Sequence, residues 1–258
     1  MILGGVESLD SARDKYIQSL LFYVVLMSGE LTVINWGNMA YGPALARQEE
    51  AVRMRAEGKI GDTLFLVEHP PVITFGRGGK TENLLASKEK LARYGVELFN
   101  ITRGGDVTFH GPGQLVAYLI ADLTARERDL HRFLRELEEA VIDFLTKYHL
   151  NGERINGKTG VWVGKKKICA MGVAVRNWVT FHGLALNVST ILDYFSLIVP
   201  CGLSDPVTNL ELELKGKVDF EKANERLAES VVWVFGYNTI KWGQGHLPRP
   251  IDEKELCR

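Results

Sequence analysis

A chain of 258 residues with a formal net charge of −1 has room for one well-buried domain and at most a small lobe. Near-neutrality supplies no basic field for nucleic acid, and 46% hydrophobic with 24% charged residues is the balance of a soluble globular enzyme-sized domain. Three cysteines, at 169, 201 and 257, with no CxxC pair, exclude a disulfide framework and a zinc ribbon and suit a reducing, cytoplasmic compartment.

In chain order, the apolar run Ile17–Met27 is too short to span a membrane, and acidic Asp10 and Asp14 spoil it as a signal peptide. Residues 1–26 read either as an appendage or misassigned upstream start, or as an extra helix packed on the body. Leu31 to Trp36 alternates like a strand. Pro43 then opens a helix with Leu45, Ala51, Val52 and the stem of Arg55 on one side, closed by Gly58. DTLFLVEHP and VITFG are strands split by Pro70–Pro71, and VELFNIT and QLVAYLIADL are two more. The spacing of Leu130, Phe133, Leu134, Leu137, Val141, Phe144, Leu145 and Tyr148 predicts a helix over 127–148. VWVG, KKICAMGVAV and WVTFHGLALNV read as a meander turning at Gly164–Lys165 and Asn177, and a last helix runs from an Asp219 N-cap to about Phe235. Strands cluster instead of alternating with helices. The expectation is an α+β fold with a mixed or antiparallel sheet and flanking helices, a catalytic domain over 31–243, an N-terminal extension over 1–30 and a tail over 244–258.

One stretch does not fit a plain reading: RGGDVTFHGPGQL, from Arg103 to Leu115. Neither GxGxxG nor GxxxxGK[ST] is present, so it is not a phosphate loop of those types. A turn needing positive φ accounts for its four glycines but not for Arg103, His110 and Gln114. Glycines also let a ligand approach the backbone while flanking polar side chains orient it, which makes this stretch a candidate site.

The pattern R-G-G-x-x-T-aromatic-H-G-P-G-Q resembles the signature of the lipoyl(octanoyl) transferases. EHPPVITFGR at 68–77, KKICAMGVAVRNWVTFHGLALNV at 166–188 and IVPCGLSDPVTNL at 198–210 resemble three further blocks of that family, in the same order. The likeness extends from about Leu31 to Leu210. It implies a biotin/lipoate protein ligase-like fold and an enzyme that moves octanoyl or lipoyl groups from acyl carrier protein to lysines of lipoyl domains. The acceptors it implies are lipoyl domains of 2-oxoacid dehydrogenases and the glycine cleavage H protein, with no cofactor, metal, membrane or nucleic acid involved.

The resemblance also implies roles. Cys201, between Pro200 and Gly202, corresponds to the nucleophile, and Lys167, which opens K-I-x-A-x-G, to its partner. Arg103, Gly104, Gly105, His110 and Gln114 correspond to the acyl site, completed by Ala170, Gly172, His182 and Gly183, the last leaving room for ligand. The chemistry is coherent. A free thiol is only a few per cent thiolate at neutral pH, a nearby ammonium favours the thiolate, and a buried lysine can hold and return a proton. Strand alternation puts Lys167, Cys169 and Met171 on one face and Ile168 and Ala170 on the other, with Cys169 read as packing. His69 is balanced between core and site, whereas His131 reads as solvated; His149, His246 and Cys257 have no assignable role. Two other readings stand beside the transferase: an ATP-dependent ligase of the same superfamily, which needs no cysteine, and a silent acyl-binding domain, expected to lack Cys201 or Lys167.

Overall fold

The structure, a computed structural model, describes residues 29–199 and 206–247. The run at Ile17–Met27, the P-C-G segment with Cys201, and Cys257 lie outside the described residues.

Strands β1 (Glu30–Asn38), β2 (Thr63–Glu68), β6 (Gln114–Ile120), β7 (Gly152–Glu153), β8 (Val161–Val163), β9 (Lys166–Arg176), β10 (Val179–Asn187) and β11 (Thr239–Gly243) form an eight-stranded sheet in the order β11-β1-β2-β6-β10-β9-β8-β7. Strands β3 (Val72–Phe75), β4 (Glu97–Asn100) and β5 (Val107–His110) form a second sheet in the order β4-β3-β5. β1 runs parallel to β2 and β11, and β3 parallel to β4, while the other pairings are antiparallel. The sheets are mixed, as expected of the α+β class.

Alternation explains how the large sheet is covered on both sides. Leu115, Ala117 and Leu119 of β6 join the core beneath α3 (Leu130–Thr146) and α5 (Phe220–Phe235). Val116, Tyr118 and Ile120 face the opposite core, closed by Ala44, Ala51 and Val52 of α1 (Tyr41–Ala56). Each fully buried Leu or Phe in these layers contributes roughly 1.5–3 kcal/mol relative to exposure. The small sheet has its own core, roofed by Leu91 of α2 (Lys88–Arg93) and by Leu197 and Ile198.

The sequence places helix ends within a few residues. Asp129 caps α3 by accepting from the Arg132 N–H at 2.9 Å, and Asp219 caps α5 from Lys222 at 3.1 Å. α3 begins at Leu130 rather than at Glu127, because Glu127 (φ 58) and Arg128 (φ 54) are left-handed and cannot propagate a helix. Pro43 lies inside the first turn of α1, where a missing N–H costs nothing. Asn177 (φ 52) and Trp178 (φ 63) form the two-residue turn joining β9 to β10. The short α2, α4 (Leu210–Leu214) and the edge strand β11 were not anticipated.

The stretch from Arg103 to Leu115 is not one turn. Arg103–Gly105 is a bend, VTFH is strand β5 of the small sheet, and GPG carries the chain into β6 of the large one. The motif is therefore the crossing between the two sheets.

Candidate active site

A narrow cleft, open at its mouth, lies at that crossing. β6, β9 and β10 form one wall, with Val116, Tyr118, Ala170, Gly172, Gly183 and Leu184. Arg103, Gly105, Thr108 and His110 form the other, and Tyr41 at the start of α1 closes an end. Lys167, Met171, His182 and Ala185 complete the lining.

The bend at Arg103–Gly105 docks on β9 through the Gly104 N–H, which donates to the Val173 carbonyl at 3.0 Å. That approach is why Gly172 is glycine: a Cβ there would lie 2.8 Å from the Gly104 oxygen. Gly105 has φ +85, a left-handed conformation. Arg103 is almost wholly buried, and its guanidinium donates to the Thr74 carbonyl at 2.7 Å, to Thr74 Oγ1 at 3.0 Å and to the Gly104 carbonyl at 3.0 Å. The arginine thus ties the bend to β3 while keeping one fixed positive charge beside the cleft.

His110 is held from behind. Gln114 Nε2 donates to Asn187 Oδ1 at 2.9 Å, and Asn187 Nδ2 donates to the Thr208 carbonyl at 2.9 Å. Those two bonds orient the amide, so Gln114 Oε1 accepts from His110 Nδ1–H at 2.8 Å and Nε2 is left as the ring's acceptor. Gln114 does not line the cleft and neither does Gly104; both support residues that do. Burial, then the neighbouring His69, pushes the His110 pKa down to about 3, so the ring is neutral at neutral pH. Tyr41 stacks on it at 6.0 Å with the rings 9° apart.

His182 is the most unusual residue of the site. Its backbone is left-handed (φ 60) within β10, a conformation that costs a non-glycine residue about 1–3 kcal/mol. Its N–H is turned to Gln48 Oε1 of α1 at 3.0 Å. The ring is buried against Phe181, neither nitrogen has a hydrogen-bond partner among the described residues, and burial, with Arg103 nearby, pushes its pKa down to about 3. Beside it, Gly183 lines the cleft, and its neighbouring strand requires a glycine there: a Cβ would overlap the Ala117 oxygen at 2.1 Å. His69 belongs to the supporting structure. Its Nδ1–H donates to the Met39 carbonyl at 2.6 Å, so its Nε2 accepts from the Tyr118 hydroxyl at 2.7 Å.

Lys167 lines the cleft by a different route from simple alternation. Val161 pairs with Cys169 but Trp162 pairs with Lys167, so β9 carries one extra residue, Ile168, at a β-bulge. Ile168 and Cys169 both enter the large core, and Lys167 is left on the cleft side with Ala170 and Gly172. The expectation that Lys167 shares a face with Cys169 is therefore overturned. Cys169 is fully buried, and burial pushes its thiol up to about 12, which keeps it protonated and inert.

Cys201 itself lies outside the described residues. Its flanks are described. Val199 donates to the Asn83 carbonyl at 2.8 Å, and Pro206 accepts from the Lys167 N–H at 2.8 Å. Sequence reasoning missed Tyr41, Thr108 and Tyr118 as lining residues. Tyr118 was findable, since it sits on the same β6 face as Val116; Tyr41 reads only as a helix start until its stacking is seen. Among the described residues no group of three His, Cys, Asp or Glu side chains could hold a metal ion, and no helix is long and apolar enough to cross a membrane.

Two mixed sheets meeting over such a cleft form the fold of the lipoate-attaching enzymes. The structure resembles lipoate-protein ligase A bound with ATP (19% identity, TM-score 0.64, 89% of this chain and 92% of that one). It also resembles the bi-partite lipoate protein ligase of Thermoplasma acidophilum (18% identity, TM-score 0.63, 90% of each chain). At these identities the likeness concerns the fold alone. The sequence goes further: the chain belongs to the lipoyl protein ligase A/B catalytic domain family, matched over residues 40–232. Among curated relatives, the octanoyltransferase of Solibacter usitatus is 47% identical over 204 residues, 79% of this chain and 92% of its own length. The octanoyltransferase of Caldicellulosiruptor saccharolyticus is 50% identical over 199 residues, 76% of this chain and 85% of its own.

Proposed function

We propose that this chain is an octanoyltransferase that carries the acyl group on Cys201, with Lys167 as its acid–base partner. The donor is octanoyl-acyl carrier protein, and the acceptors are lysines of lipoyl domains of 2-oxoacid dehydrogenases and of the glycine cleavage H protein. The work is done in the cytoplasm and needs no ATP, because a thioester is already an activated acyl donor.

In the first half-reaction the Cys201 thiolate attacks the thioester carbonyl, the carbon–sulfur bond to the carrier breaks, and the departing thiolate takes a proton from the Lys167 ammonium. In the second, the acceptor lysine's amine attacks acyl-Cys201, Lys167 takes up the proton lost from nitrogen, and the Cys201 thiolate leaves. Protons and charge balance across the two steps. The acyl chain lies in the glycine-walled cleft, beside the apolar Val116, Leu184 and Met171, with Arg103, Gly105, His110, Ala170, Gly172 and His182 around it. Gly104 and Gln114 act from behind that wall.

The single observation that carries this reading is the pairing of Lys167 with the segment that follows Cys201. The Lys167 N–H and carbonyl bond Pro206 and Thr208, which ties the chain a few residues past Cys201 to the strand bearing the lysine. Intact-mass spectrometry after mixing with octanoyl-acyl carrier protein, with ATP absent, tests it. One octanoyl adduct on the enzyme is the expected result. An adduct or product formed only from free octanoate and ATP would instead establish a ligase.

A further inference from the structure

The bulge at Ile168 sets Lys167 directly opposite Trp162 of β8, and residues directly opposite in an antiparallel pair share a face. The Lys167 ammonium stands over the Trp162 ring, 4.8 Å from its centroid. Trp162 is fully buried, yet its indole N–H has no hydrogen-bond partner among the described residues. A buried donor without a partner is a cost, and a phenylalanine would avoid it. What an indole offers beyond a phenyl ring is the most strongly attracting aromatic face for a cation.

The other side of the lysine's path is equally specific. Gly160 has φ +134, and a Cβ there would lie 2.6 Å from Lys167 Cε and 2.6 Å from the Cys169 carbonyl oxygen. Gly160 is fixed from outside by α3. Its N–H donates at 3.0 Å to Oε1 of Glu138, a carboxylate 1% exposed whose Oε2 accepts from Arg135 at 2.7 Å and Arg154 at 3.0 Å. An aromatic face and a side-chain-free passage thus converge on one ammonium, and a buried carboxylate holds the passage in place.

We propose that Trp162 is a positioning residue for Lys167: its indole face seats the ammonium, and Gly160, locked by Glu138, keeps the passage to that seat open. A lysine side chain has many rotamers to lose, so a fixed seat pre-organises the charge where the thiolate must form. The seat also favours the protonated amine, since only the ammonium is attracted to the ring. This inference rests on the assignment of Lys167 to catalysis made above.

The test follows acyl-enzyme formation from octanoyl-acyl carrier protein as a function of pH. Activity is lost at high pH as the lysine gives up its proton, so a weakened seat moves that basic limb to lower pH. Replacing tryptophan throughout by a ring-fluorinated tryptophan weakens the attraction at nearly constant shape, and the limb is expected to fall by ~0.5–1 pH unit. In a Trp162→Phe background the same fluorination should add no shift, which assigns the effect to this ring among the five tryptophans. A fluorinated protein with an unmoved limb overturns the inference, and so does an equal shift in the Trp162→Phe background. Lys167→Ala is the control for the underlying reading. If it loses acylation while fluorination changes nothing, only the seat is wrong; if it acylates normally, the assignment of Lys167 is wrong.

Discussion

Lys167 and Val207 pair as neighbouring parallel strands do, the Lys167 N–H donating to the Pro206 carbonyl at 2.8 Å and its carbonyl accepting from the Thr208 N–H at 3.0 Å. Thr208 then accepts from Asn187, which accepts from Gln114, which accepts from His110. Five residues from four separate segments form one chain of hydrogen bonds from the lysine's backbone to an imidazole on the opposite wall. The segment Pro206–Thr208, the lysine strand and the R-G-G…H-G-P-G-Q stretch are thereby one mechanical unit.

The first prediction concerns the thiols. Cys169 is sealed in the core with its thiol pushed up to about 12, so it should be neither acylated nor alkylated in the folded protein. The octanoyl adduct is expected on Cys201, and Cys201→Ser should abolish turnover. Cys169→Ala should retain it, with some loss of stability from the deleted sulfur. Peptide mapping of the adduct checks this, and an acylated Cys169 would contradict it.

The second separates three adjacent lysines. Lys165 lies in the exposed turn after Gly164, and Lys166 pairs with Glu213 on the surface. The lysine end of that pair is open to solvent and outside the cleft, so alanine at either position should change transfer little. Lys167→Ala should lower transfer by a factor of roughly 10² or more, the scale of a general acid–base group. Lys167→Arg should rescue little, because a guanidinium does not exchange its proton. Single-turnover rates of the three alanine variants decide it; equal effects would remove Lys167 from the mechanism.

The α+β class and most elements were legible because they rest on local patterns: alternation over Leu31–Trp36, the β-rich run QLVAYLI, the three-and-four spacing of α3, and Asp caps. What was hidden depends on contacts distant in sequence. VTFH is four residues between glycines, and only its pairing with Val72–Phe75 makes it a strand. β11 is a half-exposed edge with no apolar run, defined by its parallel partner β1. Alternation misplaced Lys167 relative to Cys169 because a bulge leaves no mark in a period of two. Gln114 read as a ligand contact because nothing in the sequence announces Asn187 as its partner.

The third prediction uses the glycines of the sheet crossing. A Cβ at Gly104 would meet nothing closer than the Val173 oxygen at 3.6 Å, an ordinary contact. Gly104→Ala should therefore leave both stability and acylation near wild type. Gly105 has φ +85, and a Cβ at Gly172 would lie 2.8 Å from the Gly104 oxygen. Alanine at either should lower the melting temperature, by about 1–3 kcal/mol of strain at Gly105. Thermal unfolding of the three variants orders them, and a Gly104→Ala protein as damaged as Gly105→Ala would contradict the geometry.

The last prediction follows from the buried imidazoles. Burial holds His69 at a pKa of about 4 and His110 and His182 at about 3, against ~6.5 in an unfolded chain. Below pH ~6.5 the unfolded state takes up protons that the folded state refuses, so stability falls as pH falls from there towards 4 and 3. The slope is up to ~1.4 kcal/mol per pH unit for each histidine. His182→Asn isolates one of the three. Asparagine tolerates the left-handed backbone at this position, so the fold should survive while one titrating group is removed. Denaturant unfolding at pH 7, 6 and 5 should show the variant losing less stability on acidification than wild type, by up to that one-proton slope. At neutral pH the same variant should acylate Cys201 more slowly if the unpartnered ring contacts the donor. An unchanged pH slope would mean that His182 takes up its proton as readily in the folded chain as in the unfolded one, and would remove its depressed pKa from the description of the cleft.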